Sequence, residues 1–198
     1  MAYSKFTLSL IEERLGLTIQ EGCDLFSATA SVPAGEFLTR TLERNLPMAL
    51  PNGSEKARSE WVVAPVLTEL RERSGGTVSI FSGIDFTVDR KRGLDGFCDF
   101  LVAHSPHQLE LEAPILCAVE AKEHSMKLGI PQCIATMYAA SLYNTNEKAP
   151  RECVHGLVTT GSNWLFLRLR GATVQIERTD YHIKEIDKIL GILLEIAQ

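Results

Sequence analysis

The chain has 198 residues, 45% of them hydrophobic, and Lys+Arg 20 against Asp+Glu 25 leaves a formal net charge of −5. A chain of this length buries a core without disulfide or metal staples. Its charge excludes a general polyanion coat, so any contact with nucleic acid has to come from a local basic patch.

In chain order, residues 5–15 show helical spacing and stop at Gly16, and residues 34–46 read as a second helix ended by Pro47. With the turn-rich connector 47–53, residues 1–53 are expected to form an N-terminal helical extension packed on a main domain of 54–198. A third helix is expected over 54–73, with Ser54 as N-cap and Gly75-Gly76 as the stop; Pro65 inside it should kink it or displace its start. The hydrophobic period then changes to two. Residues 77–82 and 84–89 are short strands, Arg90-Lys91-Arg92-Gly93 a basic turn, 94–103 an apolar strand, 104–113 a polar loop and 114–122 a second apolar strand. A helix over 131–143 opens on proline, a favoured first position. Strands over 154–160, 163–169 and 172–178 and a helix over 183–197 complete the chain. The pattern is that of an α/β (α+β) fold, a mixed central sheet flanked by helices.

No apolar run reaches the ~18–20 residues of a membrane span, and the first residues lack the charged-then-apolar pattern of a secretory signal. The five cysteines (Cys23, Cys98, Cys117, Cys133, Cys153) are odd in number and form no CxxC pair, and Cys98 and Cys117 lie in apolar runs. Reduced, structural thiols and a cytoplasmic location are expected, with no membrane contact. Closely spaced Cys or His pairs for zinc, HExxH, GxSxG and a Walker-type glycine loop are all absent from the sequence.

Two apolar strands carry charge. In 114–122, side-chain alternation puts Leu116, Ala118, Glu120 and Lys122 on one face and Ile115, Cys117, Val119 and Ala121 on the other. Both faces are apolar until the end, as in a central strand covered on both sides. An unpaired buried charge costs several kcal/mol or more, so Glu120 and Lys122 need partners. An ion pair at a frayed strand end would satisfy them taken alone. Asp99 interrupts Phe-Cys-Asp-Phe-Leu-Val in the same way; a salt bridge or an edge bulge would explain it alone. If the strands are neighbours, Asp99 and Glu120 converge beside Lys122. Such a carboxylate pair must share a proton or a cation. Its oxygens suit Mg²⁺ or Mn²⁺, which can activate water for phosphodiester hydrolysis while the lysine orients that water or neutralises charge. Glu60 borders the apolar stripe of helix 54–73, and Gln132 stands in the first turn of helix 131–143.

Glu60, then Gly96-Phe97-Cys98-Asp99, then Glu120-Ala121-Lys122, then Gln132 together resemble the PD-(D/E)xK nuclease superfamily, the restriction-endonuclease-like fold. Its core is an αβββαβ unit, which residues 54–160 match in order. The resemblance implies Asp99 and Glu120 as ligands of Mg²⁺ (or Mn²⁺), completed by the Ala121 carbonyl, and Lys122 as the catalytic lysine. It also implies Glu60 as the helical glutamate of some branches and Gln132 as the glutamine of exonuclease-like and resolvase-like branches. Cys98 stands where the motif's name has proline. The expected activity is metal-dependent hydrolysis of DNA. The alternatives are a catalytically inactive nuclease-fold module for DNA binding or complex assembly, and a hydrolase of other phosphate esters. DNA contacts are expected from Arg90, Lys91 and Arg92, from Lys127, and from Arg168 and Arg170, aided by a second subunit or a protein partner given the acidic net charge.

Overall fold

A computed structural model describes residues 2–198. Helix α1 (Leu8–Leu15) leads into strand β1 (Thr18–Cys23), then helix α2 (Glu36–Ala49). A composite helix follows, made of α3 (Glu55–Arg58), a π-helical turn (Ser59–Val63) and α4 (Ala64–Arg73). Strands β2 (Ser79–Asp85), β3 (Phe97–Ala103) and β4 (Ile115–Ala121) precede α5 (Met126–Asn146). Strands β5 (Cys153–Thr159), β6 (Asn163–Arg170), β7 (Thr173–Glu177) and β8 (Tyr181–His182) come before α6 (Ile186–Ile196).

The strands form one eight-stranded sheet in the order β1-β7-β6-β5-β4-β3-β2, with β8 pairing β6. β2–β3 and β3–β4 are antiparallel, whereas β4 and β5 are parallel and joined through α5. Every residue of the central β4 is buried, as its two apolar faces require. Alternation along β6 separates the two cores. Trp164 and Phe166 face the side where Leu38 of α2, Leu67 of α4 and Leu193 of α6 pack. Leu165, Leu167 and Leu169 face Ile11 of α1 and Ile134 and Met137 of α5. β2 lies at one margin of the sheet, where the Gln108 side chain both accepts from the Ile80 N–H (3.3 Å) and donates to the Ile80 carbonyl (2.5 Å).

Several sequence expectations need correction. The N-terminal segment is not wholly helical, because Thr18–Cys23 pairs in parallel with β7 and ends the sheet. The two strands expected over 77–82 and 84–89 are one, Ser79–Asp85. Pro47 does not stop α2, which runs on to Ala49; so close to the C-terminus, proline forfeits a single helical bond. Pro131 lies inside α5 rather than at its start, the helix beginning at Met126. Pro65 acts as expected and displaces the helix before it. Lacking an N–H, it cannot bond to the Trp61 carbonyl, which accepts instead from Asn45 Nδ2 at 2.8 Å. Just upstream, the Ala64 N–H reaches back to Ser59, the wide i→i+5 closure of a π turn. Among the described residues no helix is long and apolar enough to cross a membrane.

Candidate active site

The β3–β4 ladder ends at the pair Phe100↔Val119. Past it the strands part, and the Ala121 N–H is left without a main-chain acceptor on β3. The Asp99 carboxylate replaces that acceptor, Oδ2 taking the Ala121 N–H at 2.8 Å. On its other edge β4 stays paired with β5, the Lys122 N–H donating to the Thr159 carbonyl at 2.8 Å. In a strand a residue's N–H and C=O point to the same edge, so the Ala121 carbonyl also faces the opened side. This parting of two strands turns a charge in an apolar run into a site.

Glu120, 3% exposed, has Oε1 2.5 Å from Lys122 Nζ. Burial first and the Asp99 carboxylate second push the Glu120 carboxyl up to about 8, while Lys122 works the other way. Burial opposes the Lys122 ammonium, but Glu120, then Glu55 and Asp99, outweigh it and hold its pKa above the ordinary lysine value. The stem of Lys122 runs over α5 at Gly129. A Cβ there would stand 3.0 Å from Lys122 Cγ and 2.8 Å from Val158 Cγ1, so the residue has to be small.

Asp99 opens onto a cleft of about 340 Å³ between the composite helix and β2–β3, lined also by Glu55, Lys56, Ser59 and Glu60. Glu60 is in this wall, half exposed and paired with Lys56 at 2.8 Å. Glu55, in the first turn after the Ser54 cap, lies 3.8 Å from Lys122 Nζ. Sequence reasoning passed over both Glu55 and Gly129. Glu55 reads there as an ordinary first-turn acid, and nothing in the spacing ties Gly129 to Lys122. Gln132 is in the second turn of α5 and half-buried, its carbonyl accepting from Thr136 Oγ1. Among the described residues its side chain forms no hydrogen bond with Asp99, Glu120 or Lys122.

Among the described residues no three His, Cys, Asp or Glu side chains are grouped to hold a metal ion. The site offers two carboxylates and a main-chain carbonyl, and Mg²⁺ is commonly held by one or two carboxylates with the rest of its shell water. The donors are hard oxygens. Burial first and the neighbouring Asp99 second raise the Glu120 carboxyl even with Lys122 beside it. The donor set therefore fits a hard divalent cation.

Of the basic residues, Arg90, Lys91 and Arg92 occupy an exposed turn in which Asp89 Oδ1 accepts the Lys91 and Arg92 N–H groups. The Arg92 guanidinium is 3.4 Å from Asp89 and 3.1 Å from the Tyr138 hydroxyl of α5. Lys127 is exposed at the start of α5, beside a groove that also holds Asp180. Arg168 donates twice to Gln175 Oε1, and Arg170 lies 3.3 Å from Glu152. No protein-family model matches the chain, and no curated protein matches it significantly.

Proposed function

We propose that the chain is a metal-dependent nuclease of the PD-(D/E)xK type that hydrolyses phosphodiester bonds in DNA. The observation that carries this reading is the meeting of Asp99 with Glu120-Ala121-Lys122 where β3 and β4 part, at the wall of an open cleft. The order α-β-β-β-α-β over 55–159 and the parallel β4–β5 pair support the corresponding fold.

Asp99, Glu120 and the Ala121 carbonyl would hold Mg²⁺ or Mn²⁺. Bound there, the cation supplies Lewis-acid polarisation of the phosphoryl oxygen and lowers the pKa of a water. Lys122, freed from Glu120, presents an ammonium to the attacking water or to the charge growing on the phosphate. Among the described residues the cleft wall carries Glu55, Glu60 and Asp99 against one cation, Lys56, so a phosphate is repelled until positive charge enters. Sequence-independent affinity falls to the Arg90–Arg92 turn and Lys127. Five free cysteines, Cys98, Cys117 and Cys133 of them buried, support a reducing, cytoplasmic setting.

The test is cleavage of duplex and single-stranded DNA with Mg²⁺ and Mn²⁺ by the wild type, Asp99→Ala and Lys122→Ala. Cation-dependent cutting by the wild type, abolished in both variants, is the expected result. A folded wild type that cuts no DNA with either ion overturns the reading.

A further inference from the structure

A divalent cation that takes both oxygens of Glu120 competes with Lys122 for that carboxylate and repels its ammonium. The ammonium is 2.5 Å from Glu120 Oε1, one of the two oxygens that such a cation would take. With the Lys122 side chain only 15% exposed, a displaced ammonium is best held by another acceptor within reach. One is in place. Glu55 Oε2 lies 3.8 Å from Lys122 Nζ, on the cleft side, and its side chain is half exposed. The helix start that carries Glu55 is capped. Ser54 Oγ accepts the Ala57 N–H at 3.3 Å, and a Cβ on the preceding Gly53 would come 3.2 Å from Glu123 Oε1, so the start of α3 sits against the end of β4. The Lys122 stem is confined by Gly129 on the other side, which leaves its tip to swing between the two carboxylates.

We propose that Glu55 is a positioning residue, the second seat of the Lys122 ammonium: a divalent cation entering between Asp99 and Glu120 transfers Lys122 from Glu120 to Glu55, where it faces the cleft. This rests on the metal-dependent reading of the site and adds a residue that acts through Lys122 and not on the metal. Glu60 meets Lys56 at 2.8 Å, whereas the glutamate beside Lys122 is Glu55.

The test is a double-mutant cycle read by calorimetry of Mg²⁺ and Mn²⁺ binding, without DNA, on the wild type, Glu55→Gln, Lys122→Met and the double variant. In the Lys122 background, Glu55→Gln weakens binding about tenfold, because the displaced ammonium has no seat; in the Lys122→Met background it changes nothing. Equal weakening in both backgrounds makes Glu55 a direct or long-range partner of the metal and overturns the proposal, as does no weakening in either. A wild type that binds neither ion also overturns it. If Lys122→Met does not fold, the Lys122 ε-ammonium resonance of the wild type and Glu55→Gln decides. Added Mg²⁺ should leave it hydrogen-bonded in the wild type and erase it by rapid exchange in Glu55→Gln; the same resonance in both refutes the second seat. A protein that passes these tests but cuts no DNA fails as a nuclease while the seat stands. One that cuts DNA with no coupling between Glu55 and Lys122 fails the seat alone.

Discussion

Asp99 on β3 accepts the Ala121 N–H of β4 at 2.8 Å, so one carboxylate closes the last rung between two strands and walls the cleft as well. The two duties separate by substitution. Asp99→Asn keeps an oxygen for the Ala121 N–H, whereas Asp99→Ala leaves that donor orphaned, at about 1–3 kcal/mol. Denaturant unfolding should rank Asp99→Asn above Asp99→Ala by roughly 1 kcal/mol. DNA cleavage should vanish in both, because neither restores the charge.

The Glu120 carboxyl, pushed up to about 8 by burial first and Asp99 second, holds a proton in the folded chain where the unfolded chain, near 4.5, has released it. The folded state then binds more protons than the unfolded one. The contribution of Glu120 to the stability of the metal-free protein should be fully present below about 4.5, fall as pH rises to about 8, and level off beyond. Lys122, shifted upward, adds stability that disappears only at strongly alkaline pH. The melting temperature of the wild type relative to Glu120→Gln should show this decline, and saturating Mg²⁺ should reverse it by removing the proton.

Gly129→Ala tests how Lys122 is held. The new methyl meets Lys122 Cγ at 3.0 Å and Val158 Cγ1 at 2.8 Å, so the stem or the strand must give way. A destabilisation of about 1–3 kcal/mol is expected from overpacking. Cleavage should fall as it does in Lys122→Ala, although no polar group has been altered.

Charge inside an apolar period is what made the core of the site legible. Asp99, Glu120 and Lys122 each break an alternation that the neighbouring valines, leucines and alanines keep, and the structure gathers all three. β1 broke no pattern. Thr18–Cys23 is polar and mostly exposed, and it becomes a strand only because β7 offers it an edge. The start of α5 was hidden because Pro131 reads as a first helical residue, whereas the helix starts five residues earlier at Met126. Glu55 was hidden for another reason. Its approach to Lys122 depends on where α3 meets the end of β4, and no periodicity within one element encodes that.

Asn45 supports the helix that carries Glu55 and Glu60, since its amide satisfies the Trp61 carbonyl that Pro65 leaves without a helical partner. Asn45→Ala should cost about 1–3 kcal/mol in chemical unfolding by orphaning that carbonyl. Pro65→Ala in the same background should recover part of the deficit by restoring an N–H to the helix.

The exposed turn at Arg90, Lys91 and Arg92 can be separated from the chemistry. Replacing all three with alanine should weaken DNA binding at every sequence tested. In a salt titration followed by anisotropy, the dependence of log K on log salt should become shallower by about 0.9 for every phosphate that the turn no longer reaches. A slope equal to that of the wild type would put the phosphate-binding cations elsewhere on the surface.

The Gln108 amide on Ile80 has a bearing on assembly. Lying along the outermost strand, it already fills the donor and acceptor that a neighbouring molecule would use to prolong the ribbon. Two copies of this chain cannot be zipped together through Ile80 unless that amide is first pulled away.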